Sequence, residues 1–177
     1  MEQLAIYPEE AYVNGLKIVS VSTRRNVPDA LNPKIKSLNY LNNILVKIQA
    51  NLAGVGEALM LNSQGYVAEG SGDNIFIVKN GVLTTPPSYV GALEGITRAA
   101  IMEICERVGY KVKEEPFALH DVYIADEVFL TGTAAEVIAV REVDGRIIGE
   151  GKAGPVTTRL LQEFRGIVDQ DGVKVFD

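Results

Sequence analysis

Short β-branched runs closed by tight turns constrain this chain more than any other feature. Residues 57–61 and 66–68 flank Asn62-Ser-Gln-Gly65; residues 75–78 lead through Asn80-Gly81 into 82–84; residues 137–143 pass through Asp144-Gly145 to Ile147 and Ile148. Asn-Gly and Asp-Gly supply the two left-handed residues of a hairpin turn whose twist matches the flanking strands. Turns this short join antiparallel neighbours, because a parallel return needs a crossover of a dozen or more residues. Residues 16–23 and 127–131 read as further strands, and Val112 belongs to another. The fold class predicted is α+β, with a largely antiparallel β core and helices packed on it.

The helices follow from 3.6-residue periodicity. After Tyr40, the residues Leu41, Ile44, Leu45, Ile48 and Leu52 form one face of an amphipathic helix. A second helix opens at Leu93-Glu-Gly-Ile-Thr97, carries Ile101, Ile104, Cys105 and Val108 on one side, and ends at Gly109. Residues 119–125 read as a helical turn with His120 as a cap or surface residue, and Pro155 opens a last helix bearing Val156, Leu160, Leu161 and Phe164. Residues 1–10 show no periodicity and read as a linker. At 177 residues the chain holds one sizeable core or two small ones. A net charge of −6 with no basic run argues against a nucleic-acid partner. One cysteine excludes an internal disulfide, and Cys105 with the lone His120 makes no metal cluster, so no metal is expected. With no bilayer-length apolar stretch and no secretion layout at the start, no membrane partner is expected and the cytoplasm is the default location.

Four stretches stand apart from scaffold. Lys36 sits between Ile35 and Leu38 just before the first amphipathic helix, with Tyr40 close behind and Pro33 holding Asn32 extended. A lysine at such a junction can point into a cleft, and if desolvated it sheds its proton more easily, as a Schiff-base lysine must. Lys34 competes for that role. Glu69 ends a strand ahead of a glycine-containing loop; Gly95-Ile96-Thr97 offers a helix N-terminus and a hydroxyl to an anion; Gly132-Thr133-Ala134 is a small-residue turn able to expose N–H groups. Each has a plainer reading: surface lysines, a solvated carboxylate, a locally bonded threonine, a tight turn. Arg24 and Arg25 read as a solvated rim or ion pairs. Taken together, the four supply what pyridoxal phosphate requires: an amine, an acid for the pyridine nitrogen, a hydroxyl near the phenolate oxygen and an anion cradle.

The segments Ile35-Lys-Ser-Leu-Asn-Tyr40, Glu69-Gly-Ser-Gly-Asp-Asn74, Leu93-Glu-Gly-Ile-Thr-Arg98, Ala125-Asp-Glu-Val-Phe129 and Gly132-Thr-Ala-Ala-Glu136 occur in that order. This closely resembles the fold-type IV pyridoxal-phosphate enzymes, and within them the branched-chain amino acid aminotransferases, over nearly the whole chain. The resemblance implies the large domain of the D-amino acid aminotransferase-like fold, pyridoxal 5′-phosphate as cofactor, and ping-pong transamination of leucine, isoleucine and valine with 2-oxoglutarate in branched-chain amino acid biosynthesis. It makes Lys36 the Schiff-base lysine and proton shuttle, and Tyr40 the partner of the phenolic oxygen. Glu69 becomes the partner of the pyridinium nitrogen and Leu93 the residue packed on the ring. Gly95, Ile96 and Thr97 become the phosphate cradle, with Thr133 a second phosphate hydroxyl. The Thr133–Ala134 turn is implied to bind the substrate carboxylate. Lys34 has no counterpart.

By the same resemblance residues 1–10 match an interdomain connection and 11–177 the cofactor-binding large domain, with the small N-terminal domain absent. The intact enzyme is expected to be a homo-oligomer, at least a dimer. A D-amino acid aminotransferase and an aminodeoxychorismate lyase share the lysine and glutamate, although Gly132–Glu136 and Gly154-Pro-Val-Thr157 favour the branched-chain group. A catalytically silent domain that binds cofactor or a partner chain is the reading from a different class.

Overall fold

The hairpins form where Asn-Gly and Asp-Gly stand. Asn80 and Gly81 take φ of 51° and 73°, and Asp144 and Gly145 take 52° and 77°, the left-handed pairs that a two-residue hairpin turn requires. The computed structural model describes residues 7–168 and 170. Its strands are β1 (Leu16–Ser20), β2 (Glu57–Leu61), β3 (Val67–Gly70), β4 (Asn74–Lys79), β5 (Val82–Thr85), β6 (Lys111–Glu114), β7 (Glu127–Gly132), β8 (Glu136–Val143) and β9 (Arg146–Ile147). The helices are α1 (Glu9–Asn14), α2 (Leu41–Leu52), α3 (Ile96–Val108), α4 (Leu119–Tyr123) and α5 (Pro155–Val168). The α+β class is as the sequence implies. One sheet runs in the order β3-β2-β1-β8-β7-β4-β5-β6, with β9 alongside β8.

The hairpin pairings β2–β3, β4–β5, β7–β8 and β8–β9 are antiparallel, as is β4–β7. Three pairings are parallel: β1–β2, β1–β8 and β5–β6. Turn chemistry reports only on strands that a short turn connects. The β1-to-β2 return passes through α2 and the β5-to-β6 return through α3, which are the long crossovers that parallel strands need.

The link between β3 and β4 shapes the whole sheet. These strands stand five places apart in the sheet order, yet only Ser71, Gly72 and Asp73 join them. A flat sheet would separate them by roughly 24 Å at about 4.8 Å per strand. Four residue steps reach at most about 14 Å. The sheet therefore curls until the two strand ends meet, and the amide of Gly70 bonds the carbonyl of Asp73 at 2.7 Å. Glu69 and Asn74 are thereby brought together at the mouth of the curl.

Alternation along the strands sorts the core into two faces. Ile75, Ile77, Val128, Leu130, Ile138 and Val140 share one cluster, against which Ala11 and Tyr12 of α1, Tyr123 of α4 and Tyr7, two residues ahead of α1, pack. Phe76, Val78, Phe129 and Val137 point the other way, under Ile101, Ile104 and Cys105 of α3 and Leu160 of α5. Cys105 is a buried packing residue. Tyr7 and α1 fall where a featureless linker is expected; a six-residue helix is too short to show periodicity. Residues 1–6 of that stretch, and 171–177 of the expected large domain, lie outside the described residues. His120 is exposed, and the cap of α4 comes from Asp121, whose Oδ2 accepts the Ala118 amide at 2.8 Å.

α2 is the main surprise. It forms where the periodicity puts it, but its large apolar side chains face away from the sheet. Leu41 is 68% and Leu52 84% exposed, and Ile44, Leu45 and Ile48 are exposed between them. The helix packs through Val46 and Ala50, about half a turn away from that stripe at 100° per residue, against Val21, Ala58 and Met60. Periodicity identifies residues that share a face without saying which face the sheet takes. Among the described residues, no helix is long and apolar enough to cross a membrane.

This arrangement separates two classes of substitution. Ile44→Ser and Leu52→Ser should each leave the unfolding free energy within about 0.5 kcal/mol, as exposed substitutions do. Met60→Ala, at a fully buried position, should cost about 2–5 kcal/mol. Urea unfolding of the three variants decides it, and a large loss for the α2 variants would place that stripe in the core.

Candidate active site

Glu69 ends β3 as a buried carboxylate held from two sides. Its Oε1 meets Nη2 of Arg25 at 2.6 Å, and its Oε2 accepts the Leu93 amide at 2.8 Å and Nδ2 of Asn74 at 3.3 Å. Burial pushes this carboxyl up to about 7, against the Arg25 charge, the Leu93 N–H and the nearby Lys36, which all favour the anion. Asp73, three residues beyond β3, is also buried and lies beside the turn that follows β7. Burial and the charge of Glu57 push it up to about 7 as well. Gly132 is bare because a side chain there would run into Oδ1 of Asp73.

Lys36 and Lys34 have separate fates. Lys34 Nζ pairs with Glu94 at 3.2 Å, and Glu94 also accepts the Ser88 hydroxyl at 2.8 Å. Lys36 has no hydrogen bond or ion pair among the described residues, and it borders two openings. One is the small pocket it shares with Arg25, Tyr40, Glu69, Asp73 and Leu93; the other is a cavity of about 320 Å³ at the start of α3. Lys36 is exposed in this chain. The loop carrying it is strained, with Leu38 at φ 65°, a conformation that costs a branched side chain roughly 1–3 kcal/mol. Tyr40 occupies the position immediately before α2.

The larger cavity has the features of an anion site. α3 begins at Ile96 with Gly95 before it and no side chain capping its first amides. Gly95 is bare because a side chain would strike Oδ1 of Asn74, whose Nδ2 donates to the Leu93 carbonyl at 2.9 Å. Thr97 is buried and Ile96 exposed, and both line the cavity with Thr133. Thr131 lines it too, and its buried Oγ1 has no partner among the described residues. A buried hydroxyl without a partner costs about 1–3 kcal/mol, so an acceptor arriving in the cavity would be stabilised there. Ala134 lies in the β7–β8 turn but does not line this cavity. Helix N-terminus, free hydroxyls and an adjacent amine together suit a phosphate or carboxylate.

The residues singled out in the sequence thus converge, apart from Ala134. Four neighbours were missed: Arg25, Asp73, Asn74 and Thr131. Arg25 reads as a rim residue in sequence because nothing local reveals that a distant glutamate buries it. Asp73 and Asn74 lie within a recognised segment, and only their burial distinguishes them.

The class IV amino-transferase family model matches residues 1–143. The chain belongs to this family. The class IV aminotransferase chain is 53% identical over 164 residues to a putative branched-chain-amino-acid aminotransferase of Methanocaldococcus jannaschii, covering 93% of this chain and 57% of that protein. The crystal structure of the Escherichia coli branched-chain amino acid aminotransferase superposes with a TM-score of 0.90 at 43% identity, over 92% of this chain and 54% of that one. The branched-chain amino acid aminotransferase of Thermobaculum terrenum, solved in its PLP holo form, gives 0.84 at 37% identity over 86% and 50%. The chain therefore spans about half the length of these relatives.

The buried acids of the class IV aminotransferase chain make its stability depend on pH in a definite sense. Asp73 and Glu69 both hold protons more tightly folded than unfolded, so their contribution is full below about 4 and is lost as pH rises through about 7. Asp73→Asn should flatten that decline. Urea unfolding at pH 4.5 and pH 8 measures it, and equal losses in parent and variant would show that Asp73 ionises freely in the folded protein.

Proposed function

We propose that the protein containing this chain is a pyridoxal 5′-phosphate-dependent aminotransferase, moving amino groups from leucine, isoleucine and valine to 2-oxoglutarate. The observation carrying this reading is the position of Lys36, which borders the Glu69 pocket on one side and the α3 cavity on the other. A flat cofactor with a basic ring nitrogen at one end and a phosphate at the other fits that pair of openings. The orphan Thr131 hydroxyl and the bare Gly95 support the phosphate end. Likeness to solved branched-chain aminotransferases, one of them in its PLP holo form, supports the choice of cofactor and substrate.

When bound, the cofactor supplies an electron-accepting ring next to the substrate's α-carbon. Lys36 would hold it through its amine and would carry the substrate's α-proton. Glu69 in its ionised form keeps a proton on the ring nitrogen. Tyr40 would donate to the phenolic oxygen, and Leu93 would pack on the ring. Gly95 permits close approach of the phosphate to the amides of Ile96 and Thr97, with the Thr97 and Thr133 hydroxyls beside them. The Thr133–Ala134 turn offers N–H groups to the substrate carboxylate. Residues 11–177 serve as the cofactor-binding large domain and 1–10 as the connection to a smaller N-terminal one. The uncovered stripe on α2 supports assembly into at least a homodimer acting on small-molecule substrates.

Borohydride reduction after addition of pyridoxal 5′-phosphate should place a pyridoxyl group on Lys36, read by peptide mass spectrometry. A tag on Lys34 or Lys47 instead would remove the assignment. In the full-length enzyme, Glu69→Gln should slow transamination about a hundredfold, roughly 3 kcal/mol in barrier, and should also lower the unfolding temperature, because it leaves the buried Arg25 guanidinium without its anion. Assays with leucine, D-alanine and aminodeoxychorismate in parallel test the substrate class. Turnover of either of the last two without leucine would move the protein to another branch of the family.

A further inference from the structure

The guanidinium of Arg25 is among the most enclosed charges in the chain, with its side chain 7% exposed against 6% for that of Glu69. Every nitrogen of its fork is used. Nε donates to the Gly91 carbonyl at 3.0 Å, Nη1 to Oδ1 of Asn43 at 2.8 Å and of Asn42 at 3.3 Å, and Nη2 to Glu69 at 2.6 Å. The two asparagines are themselves anchored. Asn43 donates to the Ser71 carbonyl at 2.8 Å and Asn42 to the Arg24 carbonyl at 2.9 Å. Gly91, at φ 114°, has no side chain where Cγ of Arg25 passes; a Cβ there would come within 2.9 Å. The first turn of α2, the loop before α3 and the end of β3 thus meet on one cation.

We propose that Arg25 is a positioning residue of the site, favouring the ionised form of the Glu69 carboxylate and fixing its orientation for a partner in the pocket. This rests on the reading of Glu69 as the partner of a protonated ring nitrogen. A carboxylate oxygen offers two acceptor positions. Oε2 spends both on Leu93 and Asn74, while Oε1 takes only Arg25 and keeps one for an incoming donor. The charged groups facing Glu69 are Arg25, Lys36 and Asp73, and of these only Arg25 bonds it directly. Remove Arg25 and the balance of the buried carboxyl at neutral pH should move from a mixture of anion and acid to the neutral acid, which turns its acceptor into a donor and leaves a ring nitrogen unprotonated.

The test uses the full chain labelled with ¹³C at glutamate carboxyls, without cofactor, titrated from pH 5 to 9 by NMR. Arg25→Met should raise the Glu69 midpoint by about one to three pH units. Arg25→Lys, which keeps the charge and loses the fork, should raise it less. A Glu69 midpoint unmoved in Arg25→Met would overturn the proposal. Should Arg25→Met fail to fold, Arg25→Met combined with Glu69→Gln decides the matter. Recovery of folding in the double variant supports a role exerted through Glu69, whereas continued failure shows that Arg25 only braces Gly91 and the asparagines, and overturns it. A raised midpoint in a chain whose Lys36 takes no pyridoxyl group would keep this inference and sink the cofactor reading.

Discussion

A carboxylate buried at the end of β3 is the constraint on which the site depends. Taking a charge out of water costs several kcal/mol unless bonds inside the protein replace its hydration. Glu69 receives such bonds from three separate places: Arg25 beyond β1, Leu93 before α3 and Asn74 at the start of β4. None of these elements is its neighbour along the sheet apart from the chain continuing into β4. They meet because a three-residue link forces the sheet to curl. The curl is therefore a requirement of the site's geometry as much as of packing.

The charge pattern around this carboxylate is graded. Cation and N–H groups stand behind it, an exposed amine stands at the opening, and the uncapped start of α3 lies beyond the amine. Such an arrangement is electrostatically complementary to a ligand that is positive at one end and negative at the other. Two glycines keep it open. Gly95 makes room for Asn74 and Gly132 for Asp73, so each is bare because of a contact made from β4 or the residue before it.

α2 contributes to the site and to the surface at once. Its first turn anchors Arg25 through Asn42 and Asn43, and its small buried side lies on the sheet. The opposite side presents Leu41, Ile44, Leu45, Ile48 and Leu52. A row of large apolar side chains on a helix that already has a packed face is the mark of a surface meant to be covered.

The sequence alone determined the local elements, because turns and helices are short-range events. Asn80-Gly81 and Asp144-Gly145 favour left-handed backbone from their own chemistry and adopt it here, and the spacing of Ile101, Ile104 and Cys105 defines one helical face. The family was legible for a related reason: five short segments in fixed order carry most of the residues that the cleft brings together. Long-range choices were left to the tertiary structure. Which side of α2 meets the sheet, which strands pair in parallel, and whether Arg25 is rim or core all depend on residues far away in the chain. Leu41 and Leu52 look like core in sequence and are surface, while Arg25 looks like surface and is buried. Burial is settled by what arrives from elsewhere to cover or to pair a side chain, and a local pattern carries no record of that.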